Sequence, residues 1–584
     1  MKKYLFLSLL FLPLCLHAAP VSPQRASKLA EKVLRKGGSP STTVRLIAED
    51  KATTKSSNTA PPYYIFAGNF GGFVMMASDD RLSPVLGWSP AGTFKTEGMP
   101  GHVRAWMDMW AEISDAVQEG RLAGIPDASM EWESISSGHG PVYDGAGRLL
   151  QTANWDQTAP FNSLCPVYDG KACVTGCVAT ATAIVMRYHK WPEYGVGTLP
   201  SYTFNDDAGV LRTVGAVNLG HSYSWEDMPL NLGTASPEEQ KKAVARLISD
   251  IGVMVKSSYN AEGTGAYTTD VYPGLVDHYF YDASAMHYFR AYYNHETWEK
   301  MLRDNIDKVG PVLYSGYGEK EGGHAFVLDG YNAQGLFHIN WGWGGNNNGY
   351  YAIPSFDSFV EGHGATLNLH KDEGGDTAEL LYIDGNGKEK GLSCSTATFS
   401  SGEPFTVECN YLFNFSSRDF NGEVALAIIH ADGSMGEILD LDSLYISSMR
   451  GGSFTMADCV IEGEIEIGDR ICLWYRSANT PKWTYINACL EDGNIAEIPI
   501  ADAKSIAEAT SFRYTSSSGI LIVSTKKNVQ WTLTDSVGVT YEENVVYEDG
   551  VLTIDTTRFP KSSYFLTLSK GKDSKTVEFL FGSK

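Results

Sequence analysis

Cys177 stands one residue past Gly176 at the head of "GCVATATAIVMRYHKWP", a run of alanine and other helix-compatible residues. Val178, Ala181, Thr182 and Val185 fall at i, i+3, i+4 and i+7, so the run predicts a helix that buries that face and starts near Thr175–Cys177. A thiol at a helix N-terminus meets unpaired N–H groups and the positive end of the macrodipole, which favour the nucleophilic thiolate. Gly176 would let a substrate backbone come close. The competing uses of Cys177 are a buried small hydrophobe, a disulfide with Cys173 and a metal ligand. A bridge to Cys173 would close a very small loop into a helix start, a strained geometry. Zinc needs more ligands, and neither a second cysteine pair nor an HExxH helix accompanies "CVTGC". No metal and no cofactor are expected.

A nucleophilic thiol needs an imidazole, and the imidazole needs a group to hold it. In "GGHAFVLDGYNAQGLFHINWGWGGNNNGYY", His324 follows Gly322 and Gly323 at the start of an alternating strand. Asn340 lies on the next strand, across a turn at Asn332–Gly335. Adjacent antiparallel strands can bring an Asn amide oxygen to the imidazole N–H and fix its tautomer. Trp341 would cover that hydrogen bond and keep water from it. His338 reads as a strand residue facing the other way, and His189 as the end of the Cys177 helix. The order Cys, His, Asn, with His324 about 150 residues after Cys177, is that of papain-like proteases, although the papain sequence around the cysteine is absent. "GWGGNNNG" opens no helix and has no phosphate-binding lysine, so a nucleotide loop is not expected.

"TGCVATATAIVMRYHKWP", "GGHAFVLDGY" and "FHINWGWGG" together resemble the streptopain family of secreted bacterial cysteine peptidases, over residues from about 145 to 370. The resemblance implies a papain-like core with Cys177 as nucleophile, His324 as general base and then acid, and Asn340 with Trp341 as the orienting pair. It implies Gln157, in "NWDQTAPFN", as oxyanion donor together with the Cys177 N–H, and Gly323 as a position whose backbone contacts substrate. The loop "SYNAEGTGAYTTD" corresponds to a specificity-pocket loop, but its residues differ and no preference carries over. "GGFVMMASDDRLSPVLGWSPAGTF" resembles that family's propeptide, which implies a latent precursor whose propeptide blocks the cleft and keeps the histidine out of place. "SSYFLTLSKGKDSKTVEFLF" resembles sorting domains of a type IX secretion route, and an ordinary strand pair explains it equally well.

The elements that must position these residues read as α+β. Residues 1–19 have two lysines, an apolar stretch and small residues at Ala18 and Ala19, the pattern of a cleavable secretory signal. Residues 20–140 form a first unit, read as an inhibitory propeptide. Its helical stripe is Ala26, Leu29, Ala30, Val33 and Leu34; strand-like runs follow around a Gly-Gly hairpin signal. A second helix is expected from about Pro100 to Gly120, with Val103, Trp106, Met107, Trp110 and Ile113 on one face. "SSGHGPVYDGAGR" reads as an exposed linker open to proteolysis. Residues 141–374 form the catalytic unit, helix-early and strand-late. Residues 375–500 alternate short β-rich segments with turns, as a β-sandwich does, and 501–584 form a second small β domain.

The chain has 584 residues, too many for one core, and nine cysteines. Eight remain once Cys15 leaves with the signal, and those after residue 390 fit buried thiols as well as bridges. A formal charge of −23 argues against nucleic acid or an anionic membrane surface as partner. No stretch after the signal is apolar for long enough to span a bilayer. The expected partners are protein substrates and the chain's own propeptide, outside the cell or at its surface. The rival class is an adhesion protein that uses the C-terminal β domains. A transglutaminase or amidase could use the same three residues.

Overall fold

The computed structural model describes residues 20–49, 61–138, 147–318, 322–356 and 362–384, then 391–396, 399, 402–463, 465–466, 468–489 and 495–500. In the C-terminal segment it describes 510–515, 520–525, 529–541, 545–548, 550–560, 562–570 and 573–581. The proposed signal lies outside the described residues. The chain divides into two compact units, one ending at Ala378 and one beginning at Glu379.

Helix α1 (Pro23–Lys36) starts where Ser22 accepts the Arg25 N–H through its hydroxyl at 3.2 Å and proline occupies the first turn. The five stripe residues are all buried. Strands β1 (Val44–Glu49), β2 (Tyr63–Gly68), β3 (Phe73–Ala77) and β4 (Val85–Ser89) follow as an antiparallel meander. Gly71 and Gly72 turn the chain between β2 and β3 with φ of 95° and 85°, where the hairpin signal stands. Helix α2 (Gly101–Gln118) buries all five residues of its expected face.

The stretch that follows α2 holds two elements that its composition does not announce. Helix α3 (Ala128–Ser137) holds Trp132 and Ile135 in the core, but its serine-rich end reads as linker. Strand β5 (Gly147–Leu149) uses the other end of that stretch. Of "SSGHGPVYDGAGR", Ser136 and Ser137 therefore end a helix and Gly147 and Arg148 begin a strand, while residues 139–146 lie outside the described residues.

Next come α4 (Cys177–His189), α5 (Glu238–Met254), α6 (Val271–Tyr279), β6 (Met286–Phe289), α7 (His295–Lys308), β7 (Val312–Gly318), β8 (Gly322–Asn332), β9 (Phe337–Asn340), β10 (Gly349–Tyr351) and β11 (Gly364–Leu367). One sheet takes the order β1-β2-β3-β4-β10-β9-β8-β7-β11-β6, with β5 paired to β8. The junction between β4 and β10 sets Trp88 opposite Tyr350 and Gly87 opposite Tyr351. The Trp88 and Tyr350 rings stack at 5.6 Å, and a Cβ on Gly87 would lie 2.5 Å from the Tyr351 ring. The N-terminal part and the strands bearing His324 and Asn340 thus share one antiparallel sheet and one core, from Val21 to Leu367, to which no buried residue of α4 belongs.

Helix α4 departs from a one-sided stripe, because every residue from Val178 to Met186 is buried. It and α2 both pack on β8. In the second unit, two five-stranded sheets enclose a core from Leu381 to Ile500, in which Cys409 and Cys459 are buried as thiols; Cys472 is a buried thiol outside that core. A four-stranded and a three-stranded sheet share a further core from Leu521 to Leu568. Among the described residues no helix is long and apolar enough to cross a membrane.

Candidate active site

Gly176 caps α4 with φ 85° and ψ 149°. A Cβ there would lie 2.8 Å from the Thr264 carbonyl oxygen, so the glycine answers to the neighbouring loop as well as to any incoming chain. That loop is tied in twice. The Thr264 hydroxyl donates to the Val174 carbonyl at 2.7 Å, and the Val174 N–H donates to Asn260 O at 3.1 Å. The turn into α4 is held between this loop and Gln157, whose carbonyl accepts the Thr175 N–H at 3.1 Å.

The Cys177 sulfur faces the backbone N–H groups of Ala325, Val178 and Cys177 itself. Burial raises the thiol pKa above its ordinary value and outweighs those three N–H groups, which lower it. A depressed pKa was the expectation from helix position; in this state desolvation reverses it.

Ala325 is the chain neighbour of His324, so strand β8 brings the histidine to the nucleophile. The imidazole nonetheless lies on the α2 side. His324 and Phe326, on one face by strand alternation, line a cavity of about 10 Å³ with Ala105, Trp106 and Met109 of α2, Gly316 and His363. Trp106 is 4% exposed and its ring lies 5.6 Å from Phe326, 5.9 Å from Trp341 and 6.1 Å from His363. His363 pairs its Nδ1 with the Tyr314 hydroxyl at 3.0 Å. Burial, then the nearby Arg290 charge, lowers its pKa to about 4, so the ring against Trp106 is neutral.

Asn340 stands opposite Val327 and shares the alternation face of Ala325. Its Nδ2 donates to the Thr152 hydroxyl and the Ala153 carbonyl, each at 2.9 Å, and its Oδ1 accepts the Gly342 N–H at 3.1 Å. The anticipated bond to His324 is not among these contacts, because the histidine occupies the opposite face of β8. Trp341 is fully buried, donates to Asn347 O at 3.0 Å and packs on Phe326 and Tyr351 as well as on Trp106. Gln157 is half-buried beside the turn into α4, and Gly323 is exposed opposite Tyr317.

Sequence reasoning missed three groups of residues here. Trp106 was legible as a helix-face residue, with no signal that its face meets the site. Asn347 pairs with the Lys95 backbone, accepting its N–H at 2.7 Å and donating to its carbonyl at 3.1 Å. Asn348 accepts the Trp341 N–H at 3.1 Å. The three consecutive asparagines in "GWGGNNNG" were the available signal, since side-chain amides can imitate backbone partners. His338 also has a partner that its spacing did not announce, the Asp329 carboxylate at 2.5 Å from its Nδ1. Among the described residues no His/Cys/Asp/Glu group is arranged to hold a metal.

The peptidase C10 family matches residues 155–351, and the Spi protease inhibitor family matches residues 18–113. Residues 155–351 thus form a peptidase C10 domain, preceded by a Spi inhibitor domain. The C10 span holds Gln157, Cys177, His324, Asn340 and Trp341, and the inhibitor span holds α1, β1–β4 and the part of α2 that carries Trp106. The thiol protease/hemagglutinin PrtT of Porphyromonas gingivalis is 30% identical over 374 residues, 62% of this chain and 42% of that protein. The chain therefore spans less than half the length of PrtT. Streptopain of Streptococcus pyogenes is 27% identical over 330 residues, 54% of this chain and 79% of that protein. A solved fragment of prointerpain A from Prevotella intermedia is 31% identical, covering 56% of this chain and all of the fragment, with a TM-score of 0.45.

Proposed function

We propose that this C10 chain is the latent precursor of an exported cysteine endopeptidase. The Cys177 sulfur attacks a peptide carbonyl as its proton passes to His324; His324 then protonates the amine as the C–N bond breaks, leaving a thioester. Water adds to the thioester and releases the acid and the thiol. The Gln157 amide and the Cys177 N–H hold the oxyanion, a contribution of about 3 kcal/mol in comparable sites. Asn340 orients the imidazole, Trp341 shields that contact, and the Gly323 backbone meets substrate. Residues 1–19 act as the export signal, and removal of the inhibitor part frees the cleft.

The observation that carries this reading is the Cys177 sulfur at the N–H of Ala325, next to a histidine held beneath α2. Active chemistry then needs His324 to leave the α2 face and meet the thiol. The test is Cys177→Ala in the full chain, assayed on casein and on its own processing. Loss of both is the expected result; retained cleavage by the variant overturns the assignment.

A further inference from the structure

We propose that Thr152 and Asp329 are positioning residues for the peptidase reaction, forming a polarised hydrogen-bond chain that sets which end of the Asn340 amide faces His324. The proposal rests on the Cys177–His324–Asn340 reading above. Asp329 is 2% exposed and its carboxylate can only accept. Thr152 donates its hydroxyl proton to Asp329 Oδ2, so the same hydroxyl must accept from Asn340 Nδ2, at 2.9 Å. The Ala153 carbonyl, also acceptor-only, takes the other Nδ2 hydrogen at 2.9 Å. Both amide hydrogens are thereby committed, and Oδ1 is turned towards the Gly342 N–H at 3.1 Å with a second lone pair to offer an imidazole N–H. A flipped amide would set oxygen against the Ala153 carbonyl and NH₂ against the Gly342 N–H, two repulsions at a fully buried position.

The chain is anchored at both ends. His338 holds the other Asp329 oxygen, Oδ1, at 2.5 Å. The segment carrying Thr152 is stitched to β8 by the β5 pairing and by the Leu150 N–H donating to Asp329 O at 2.8 Å. An amide oxygen held against the ring stabilises protonated His324; losing that orientation lowers the pH at which the imidazolium deprotonates.

The test compares the processed wild-type enzyme with Thr152→Val, Thr152→Ser and Asp329→Asn, using a peptide-amide substrate and titration of active sites with an epoxide thiol reagent. Thr152→Val is expected to lower kcat by roughly 10- to 100-fold per titrated site with KM changed little, a loss on the scale of a positioning or general acid–base contribution. It is also expected to move the alkaline limb of kcat/KM to lower pH, and Thr152→Ser restores most of both. Should Thr152→Val fail to unfold cooperatively, Asp329→Asn carries the same two expectations. Wild-type kcat and alkaline limb in the folded variant overturn the positioning role and leave the peptidase reading standing. A wild-type protein without Cys177-dependent cleavage overturns that reading and this proposal with it.

Discussion

Two opposing influences meet at the Cys177 sulfur: three backbone N–H groups that favour thiolate, and the protein packed around it that disfavours charge. In the precursor the second wins, and His324, whose protonated ring would add the missing stabilisation, is held on the α2 face. The raised pKa leaves less thiolate at neutral pH, and each unit is about a tenfold loss of the reactive form. Alkylation of Cys177 by iodoacetamide, followed by mass spectrometry, is therefore expected to be slow at pH 7 in the precursor and to climb steadily with pH. After the inhibitor part is removed, the rate at pH 7 rises at least roughly tenfold and becomes nearly flat from pH 6 upward. A precursor that alkylates as fast as the processed enzyme would show that burial does not control the thiol. Of this arrangement, the sequence carried the local half. Cys177 at a helix start follows from glycine and the apolar periodicity, whereas what covers the His324 face of β8 is Trp106, more than two hundred residues earlier in the chain.

Helix α2 is the element on which the proposed latency turns. Its stripe was legible because the 3.6-residue period of Val103, Trp106, Met107, Trp110 and Ile113 is local. Its target was not, since Trp106 is specified by Phe326, Trp341 and His363, all distant in sequence. The same holds for the junction of β4 and β10. Each strand was readable from its own residues, but no local pattern reveals that Gly87 exists to receive the Tyr351 ring. Trp106→Ala removes a buried indole whose loss costs about 3–5 kcal/mol in typical cores, and that cost falls on the docked state of α2. The Trp106→Ala precursor is expected to process itself faster than wild type and to alkylate more readily at Cys177, with kcat of the processed enzyme unchanged because Trp106 leaves with the inhibitor part. Wild-type processing kinetics on a gel time course, with α2 shown to be folded, would remove Trp106 from the latency mechanism.

At the level of the whole chain, the C10 relationship and the cores lead to one further expectation. The first unit contains every residue proposed for catalysis or latency, and its core from Val21 to Leu367 draws on both the inhibitor part and the catalytic strands. The second unit has its own cores, from Leu381 to Ile500 and from Leu521 to Leu568. A domain with its own hydrophobic core folds alone as a rule. A chain ending at Ala378 is therefore expected to fold and to process itself, with kcat/KM on a peptide substrate within roughly twofold of the full-length enzyme. Calorimetry gives the structural readout. If the cores are energetically separate, the transition of the first unit keeps its midpoint within a few degrees when the second is deleted, since a 1 kcal/mol change shifts the midpoint by only about 2–4 °C at 150–250 residues and by less in a larger unit such as this one. A shift well beyond that, or a truncated chain that precipitates, would mean that the β-rich second unit stabilises the peptidase. If instead stability survives and cleavage of large proteins falls while small peptides are cut as before, the second unit takes part in substrate capture.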